Sequence, residues 1–143
     1  MGKLVKTCKA KLHEIYECIN QECQNGVFLK QAILLNKRSG NGISYYFEYM
    51  LVFEKDETRP TKRQHAISIS GKVSDCVKVA YEYGATLEQS IPDMELEVCK
   101  DSRIECLNTL VFSIDGDEQT VKDFERAVDQ FKMDDGLDKM KGM

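Results

Sequence analysis

The sequence predicts an α+β fold, in which a single domain over residues 1–133 packs helices on a mainly antiparallel sheet of five strands. Segments with apolar residues at every second position, the period of a strand, alternate with segments in which apolar residues recur every three or four positions, the period of a helix. The chain has 143 residues, of which 42% are hydrophobic and 31% charged. This length and composition are typical of one globular domain with its own hydrophobic core.

The N-terminal segment predicts a helix over residues 3–24. Its apolar residues recur at steps of three and four along the chain: Leu4, Cys8, Leu12, Ile15, Ile19 and Cys23. Asn25 and Gly26 follow, and this pair is a common end of a helix.

The clearest strand lies in residues 42–54. Large apolar residues occupy alternate positions there, as expected of a strand with one face on a core: Ile43, Tyr45, Phe47, Tyr49, Leu51 and Phe53. An apolar segment at 27–36 and a glycine-containing turn at 37–42 precede it, so we predict a hairpin.

The opposite side of this strand also carries apolar residues, Tyr46, Met50 and Val52. One such residue on a surface needs no explanation, whereas three in near-alternate positions predict that something covers them. The cover is either a helix of the same chain or a second copy of the chain. Because Tyr and Met are enriched in interface cores, we count these three residues as candidate partner-binding residues.

The middle of the chain predicts a loop, a strand and a helix. A polar loop occupies 55–64, and a third strand begins at His65. Ser74 is the predicted cap of the second helix, and Pro92 ends that region.

The C-terminal part predicts a second hairpin and a last helix. Residues 94–99 and 104–114 alternate between apolar and polar side chains and form the hairpin. The helix covers 118–133 with Asp117 as its cap, and residues 134–143 are expected to be a flexible tail.

The resulting order of elements, α-β-β-β-α-β-β-α, is similar to that of the type III secretion chaperone fold. That family consists of small acidic dimeric proteins that hold unfolded segments of other proteins. The resemblance lies in element order and size over the whole chain, and it implies a homodimer that binds a client protein.

Charge is distributed unevenly along the chain, whose net charge is −4. Residues 1–64 carry 11 Lys and Arg against 7 Asp and Glu, and residues 65–143 carry 9 against 17. The two halves either attract each other within the fold or steer charged partners. We count the acidic residues around the start of the last helix as candidates for binding a basic partner, with helix capping as the alternative role: Asp115, Asp117, Glu118, Asp123 and Glu125.

A basic segment near the third strand is a candidate contact for phosphate or another anion. It consists of Arg59, Lys62, Arg63 and His65. The sequence pI of about 5.3 argues against direct nucleic-acid binding by the chain as a whole. An exposed loop is the alternative interpretation.

The motifs of common chemistries are missing from the sequence. His13 lies five residues from both Cys8 and Cys18, a spacing that puts these side chains on different faces of a helix, and the sequence has no CxxC pair. No phosphate-binding glycine loop, dinucleotide fingerprint or nucleophile elbow is present. We therefore predict no metal site, no cofactor and no catalytic residue.

Localisation follows from two absences in the sequence. It contains neither a secretion signal nor an apolar run long enough to cross a bilayer, so we expect a cytoplasmic protein without a membrane partner. The six cysteines are then expected to stay reduced.

These observations together predict a non-enzymatic intracellular protein-binding module, chaperone-like or adaptor-like, that forms a homodimer. One alternative is an acidic inhibitor that occupies the nucleic-acid-binding surface of another protein. The other is a small-ligand binder or hydrolase with a pocket between helix and sheet, lined by Tyr45, Tyr49 and Tyr81.

Overall fold

The computed structural model describes residues 3–24, 26–39, 44–58, 62–98 and 103–132. Within these residues, six strands and three helices follow one another in the order β1 (Lys3–Lys11), α1 (His13–Glu22), β2 (Val27–Ser39), β3 (Ser44–Lys55), β4 (Lys62–Ile69), α2 (Val73–Glu82), β5 (Thr86–Val98), β6 (Arg103–Asp115) and α3 (Glu118–Asp129). The six strands form one sheet with antiparallel pairings, so the predicted α+β class is confirmed.

The sheet consists of two halves joined at one short contact. In the first half-sheet, β3 is the central strand and pairs with β2 on one edge and β1 on the other. In the second half-sheet, β6 lies between β5 and β4. The joint is the pairing of Ser44–Tyr46 in β3 with Met94–Leu96 in β5, which lies on the edge of β3 that β1 also uses.

Two hydrophobic cores lie on opposite faces of the second half-sheet. In the first core, Ile15 and Ile19 of α1 pack with Leu51 and Phe53 of β3 and with Val111 of β6. In the second core, α2 and α3 pack on the other side of the second half-sheet, and this core includes Cys76, Ala80, Phe112 and Phe124. The second half-sheet is therefore buried on both faces, whereas the first half-sheet faces a core on one side.

The predicted helix over residues 3–24 is wrong in its first half, where the structure has β1. Apolar residues at steps of four fit a strand as well as a helix, because four is also a multiple of the two-residue strand period. Cys8 and Ala10 accordingly pack on the first core at alternate positions of β1. The helix begins only at His13, after Leu12 adopts a φ of 50° that breaks the strand.

Two other boundaries and the number of strands differ from the prediction. Lys72, with a φ of 52°, stands at the N-cap of α2, and Ser74 lies inside the helix. Pro92 lies within β5 at a register shift, because a bulge tolerates a residue without a backbone donor. The strand β1 raises the sheet from five strands to six.

The C-terminal hairpin and helix are present as predicted, but β5 begins at Thr86 rather than at 94, and α3 ends at Asp129 rather than at 133. Asp117 is the N-cap of α3, and its carboxylate accepts a hydrogen bond of 2.7 Å from the backbone N–H of Thr120. The expected tail, residues 134–143, lies outside the described residues. None of the described helices has the length and apolar character of a membrane-spanning helix.

Candidate functional site

The outer face of the first half-sheet carries the apolar residues that the sequence singled out. Phe47, Tyr49, Leu51 and Phe53 belong to the first core. Side chains alternate along a strand, so Tyr46, Met50 and Val52 project from the opposite side of β3. We call this side the outer face.

Neighbouring strands add to this face through direct cross-strand pairs. Met50 lies between Lys9 of β1 and Ile33 of β2. Arg38 pairs with Tyr46, and Lys11 places its Nζ 5.4 Å from the centre of the Tyr46 ring. The outer face thus carries an apolar row, formed by Tyr46, Met50 and Ile33. Three cations lie at its rim, namely Lys9, Lys11 and Arg38.

No described helix packs on the outer face. The helix α1 meets the first half-sheet from the inner side, and α2 and α3 pack on the second half-sheet. Tyr46, Met50 and Val52 are half-buried by their neighbours in the sheet, while Ile33 is 40% exposed. Among the described residues, the apolar row has no cover from its own chain.

The electrostatics of the outer face are positive. Glu48 accepts a hydrogen bond of 3.0 Å from Asn36, and this bond is the main reason why the pKa of Glu48 lies below its usual value. The positive charges of Arg38, Lys9 and Lys11 lower the pKa further. The carboxylate of Glu48 is therefore surrounded by more positive charge than it neutralises.

The five acidic candidates lie at the end of β6 and on α3, where several serve the helix itself. Hydrogen bonds from Thr120 lower the pKa of Asp117, as expected of a cap. Glu118 forms an ion pair of 3.4 Å with Lys122, and Asp123 accepts a hydrogen bond from Gln119. Asp115 ends β6, and Glu125 faces a neighbouring pocket.

Two of the four anion-contact candidates, Arg63 and His65, lie close together in the structure. Arg63 and His65 line a pocket of about 240 Å³ that Glu125 also lines. His65 Nε2 lies 2.7 Å from Asp129 Oδ1, and its ring meets Phe124 edge to face. Arg59 and the side chain of Lys62 lie outside the described residues. The pocket thus combines the guanidinium of Arg63 and the imidazole of His65 with the carboxylate of Glu125.

Sequence reasoning missed a buried carboxyl group at the joint of the two half-sheets. Asp93 lies at the register shift in β5 and is 0% exposed. It accepts hydrogen bonds from Ser68 and Thr109, and burial raises its pKa to about 7. A carboxyl group so enclosed is inaccessible to a substrate, and its hydrogen bonds connect β5 with β4 and β6. An aspartate after Pro92, in a segment that otherwise alternates, was the only available signal.

The three tyrosines expected to line a ligand pocket do not come together. Tyr49 is buried in the first core and donates a hydrogen bond of 2.8 Å to the Pro92 carbonyl. Tyr81 is 54% exposed on α2, and Tyr45 interacts with Lys37 at 5.0 Å from its ring centre.

Side-chain amides close two stretches of sheet edge. Asn20 of α1 accepts from the Ala66 N–H at 2.7 Å and donates to the Ala66 carbonyl at 2.8 Å, as a neighbouring strand would. Gln64 accepts from the N–H of Leu29 at 2.7 Å, and Gln89 donates to its carbonyl at 3.1 Å. Sequence alone carries no signal for such pairings.

The described residues contain no group of three or more His, Cys, Asp or Glu that is arranged to hold a metal ion. The resemblance to secretion chaperones rested on an order of elements that begins with a helix, whereas the chain begins with β1, and the client binding that it implies stays a prediction. Comparisons with protein-family models, curated proteins and solved structures find no match for this chain.

Proposed function

We propose that the protein acts by binding rather than by catalysis, and that its outer face docks an acidic partner protein in the cytoplasm. The observation that carries this proposal is the apolar row of Tyr46, Met50 and Ile33, which no described helix covers and which cations surround. Uncovered apolar residues with a polar rim are typical of protein interfaces.

The charge of the face selects the chemistry of the partner. Lys9, Lys11 and Arg38 are exposed beside the apolar row. A partner with apolar side chains for Met50 and Ile33 and carboxylates for the three cations complements both features. Such complementary charge speeds association and rejects basic partners.

A second copy of the chain fits this face less well. A two-fold contact through the outer face brings the exposed cations of the two copies together, and Glu48 and Glu54 offset only part of that charge. We therefore commit to a different protein as the occupant. The homodimer expected from the sequence is one outcome of the test.

The proposed cytoplasmic setting agrees with the cysteines. The five described cysteines, Cys8, Cys18, Cys23, Cys76 and Cys106, are free thiols. Thiols of this kind persist in a reducing compartment.

Site-specific photo-crosslinking in cells that express the protein tests this function. A photoreactive phenylalanine analogue replaces Met50 on the outer face in one variant and Tyr81, which is 54% exposed on α2, in a matched control. We expect a discrete crosslinked product with an acidic protein from position 50 and none from position 81. A combined Tyr46→Glu and Met50→Lys variant should weaken binding of the identified protein at least tenfold while the fold is kept.

Other results have defined meanings. A crosslink from position 50 to the same chain, with a dimer in sedimentation, would replace the acidic partner by a homodimer. Equal products from both positions, or full binding by the double variant, would overturn the outer face as the site. Loss of folding in the double variant would show that the row is core.

A further inference from the structure

Among the described residues, the second half of β2 forms a sheet edge whose outward backbone groups pair with no other strand. Gln64 binds the backbone N–H of Leu29, and Gln89 binds its C=O. Both groups of Leu29 therefore point away from β3. Leu29 lies opposite Phe53, and the backbone orientation of β3 repeats at every second residue. The residues of β2 that lie opposite Leu51, Tyr49 and Phe47 therefore also direct their backbone N–H and C=O groups away from β3. They are Ala32, Leu34 and Lys37.

This stretch differs from the edges that the molecule closes. At Ala66 the amide of Asn20 occupies the edge, and at Leu29 two glutamines do so. Over the part of the chain that the structure describes, no hydrogen bond reaches the backbone of Ala32 or Leu34 from outside β2 and β3.

The open edge is also apolar. Ile33, Leu34 and Leu35 are 40%, 54% and 36% exposed. An open apolar edge is a template for another strand, and natural proteins block such an edge unless it has a use. Lys30 and Arg38 disfavour pairing of this edge with a second copy of the chain. An antiparallel pairing of two copies about Leu34 sets Lys30 of one copy opposite Arg38 of the other, and like charges in opposite positions repel.

We propose that the acidic partner inserts an extended segment that adds to the sheet along β2, from Ala32 to Lys37. This inference rests on the proposed function and deepens it, because side chains of an added strand continue the row of Met50 and Ile33 across the outer face. Main-chain hydrogen bonds then supply affinity, and side chains on both faces supply specificity. Acidic residues in the segment meet Lys30 and Arg38.

A probe peptide tests the backbone pairing with the native protein. The probe is an end-capped, fluorescent peptide of about eight residues, with a central run of alternating Val and Thr and two Glu at each end. Two methylated versions carry N-methyl groups on alternate residues, one version on the odd and one on the even positions. Since only alternate N–H groups of an added strand face its neighbour, we expect one version to bind at least tenfold more weakly and the other to bind nearly as well as the unmethylated peptide.

Amide exchange and one substitution add to this test. On binding, exchange should slow at the N–H groups of Ala32, Leu34 and Lys37. Leu34→Pro removes an edge donor and should weaken binding at least tenfold, whereas Leu34→Ala keeps the donor and serves as the control. A probe with Lys in place of Glu should bind more weakly.

Several results would overturn the added strand. They are equal binding by both methylated peptides, unchanged exchange at Ala32 and Leu34 in the complex, or no binding of the unmethylated probe at about millimolar concentration. The proposed function survives these results if the partner still crosslinks at position 50. It fails separately if that crosslink is missing.

Discussion

The hydroxyl of Thr109 lies 2.8 and 2.9 Å from the two carboxylate oxygens of Asp93, in the buried joint between the half-sheets. Ser68 donates to the same carboxylate at 2.9 Å. Tyr49 binds the adjacent Pro92 carbonyl across the joint. Burial raises the pKa of Asp93 to about 7, and the hydrogen bonds from Thr109 and Ser68 oppose that rise. The joint therefore contains a group that changes its charge near neutral pH.

The contribution of Asp93 to the free energy of unfolding should fall as the pH rises from about 4 to about 7. The folded form holds the Asp93 proton up to about pH 7, whereas an unfolded Asp loses it near its ordinary pKa of 3.8. A raised folded pKa contributes stability that is complete below pH 4 and is lost as the pH rises to 7. The full contribution is about 4 kcal/mol at most. Urea unfolding between pH 4 and 8 measures it, and an Asp93→Asn variant with the same pH slope as the native protein would contradict this assignment.

Thr109→Val should destabilise the protein more at pH 8 than at pH 4. The valine keeps the shape of the side chain but removes the hydroxyl, so the ionised carboxylate of Asp93 loses a donor. We expect a loss of about 1–3 kcal/mol at pH 8. Thr109→Ser retains the hydroxyl and is the control. Equal losses for Val and Ser at both pH values would show that packing, and not the hydrogen bond, is what Thr109 supplies.

Asn20→Ala should destabilise the protein and open the edge of β4. The backbone N–H and C=O of Ala66 both lose their partner, which costs about 1–3 kcal/mol. Gln21→Ala, at the exposed neighbouring position of α1, is the control because it also introduces alanine into the helix, with a smaller gain in helix propensity than Asn20→Ala. Denaturant unfolding measures the cost, and light scattering measures association through the opened edge. Equal stability of the two variants would argue against a role of Asn20 in closing the edge.

Alkylation of the native protein should distinguish exposed from buried thiols. Cys106 is exposed and should react first at pH 8. Burial raises the pKa of Cys23 to about 12 and that of Cys76 to about 11, so their thiolates are scarce. We expect Cys23 to react about a thousandfold more slowly than an ordinary thiol. Peptide mass spectrometry after timed quenching gives the rates, and fast labelling of Cys23 before unfolding would contradict the packing of the first core.

Local sequence patterns determined the elements that do not depend on residues far away in the chain. Alternation from Tyr45 to Phe53 predicted β3, because a pleated strand sends every second side chain to the core whatever lies beyond it. The cap at Asp117 was equally local, since its carboxylate binds a backbone N–H three residues ahead. The three apolar residues on the other side of β3 were found for the same reason.

Only the tertiary structure decided the features that join residues far apart in sequence. Leu4, Cys8 and Leu12 satisfy both the helix and the strand period, and pairing with β3 makes this segment a strand. The roles of Asp93 and Asn20 depend on hydroxyls and backbone groups brought to them by other strands. Periodicity in a sequence records which face of an element is apolar. What meets that face is decided by the arrangement of the whole chain, and so the uncovered outer face became visible only once the helices were seen to pack elsewhere.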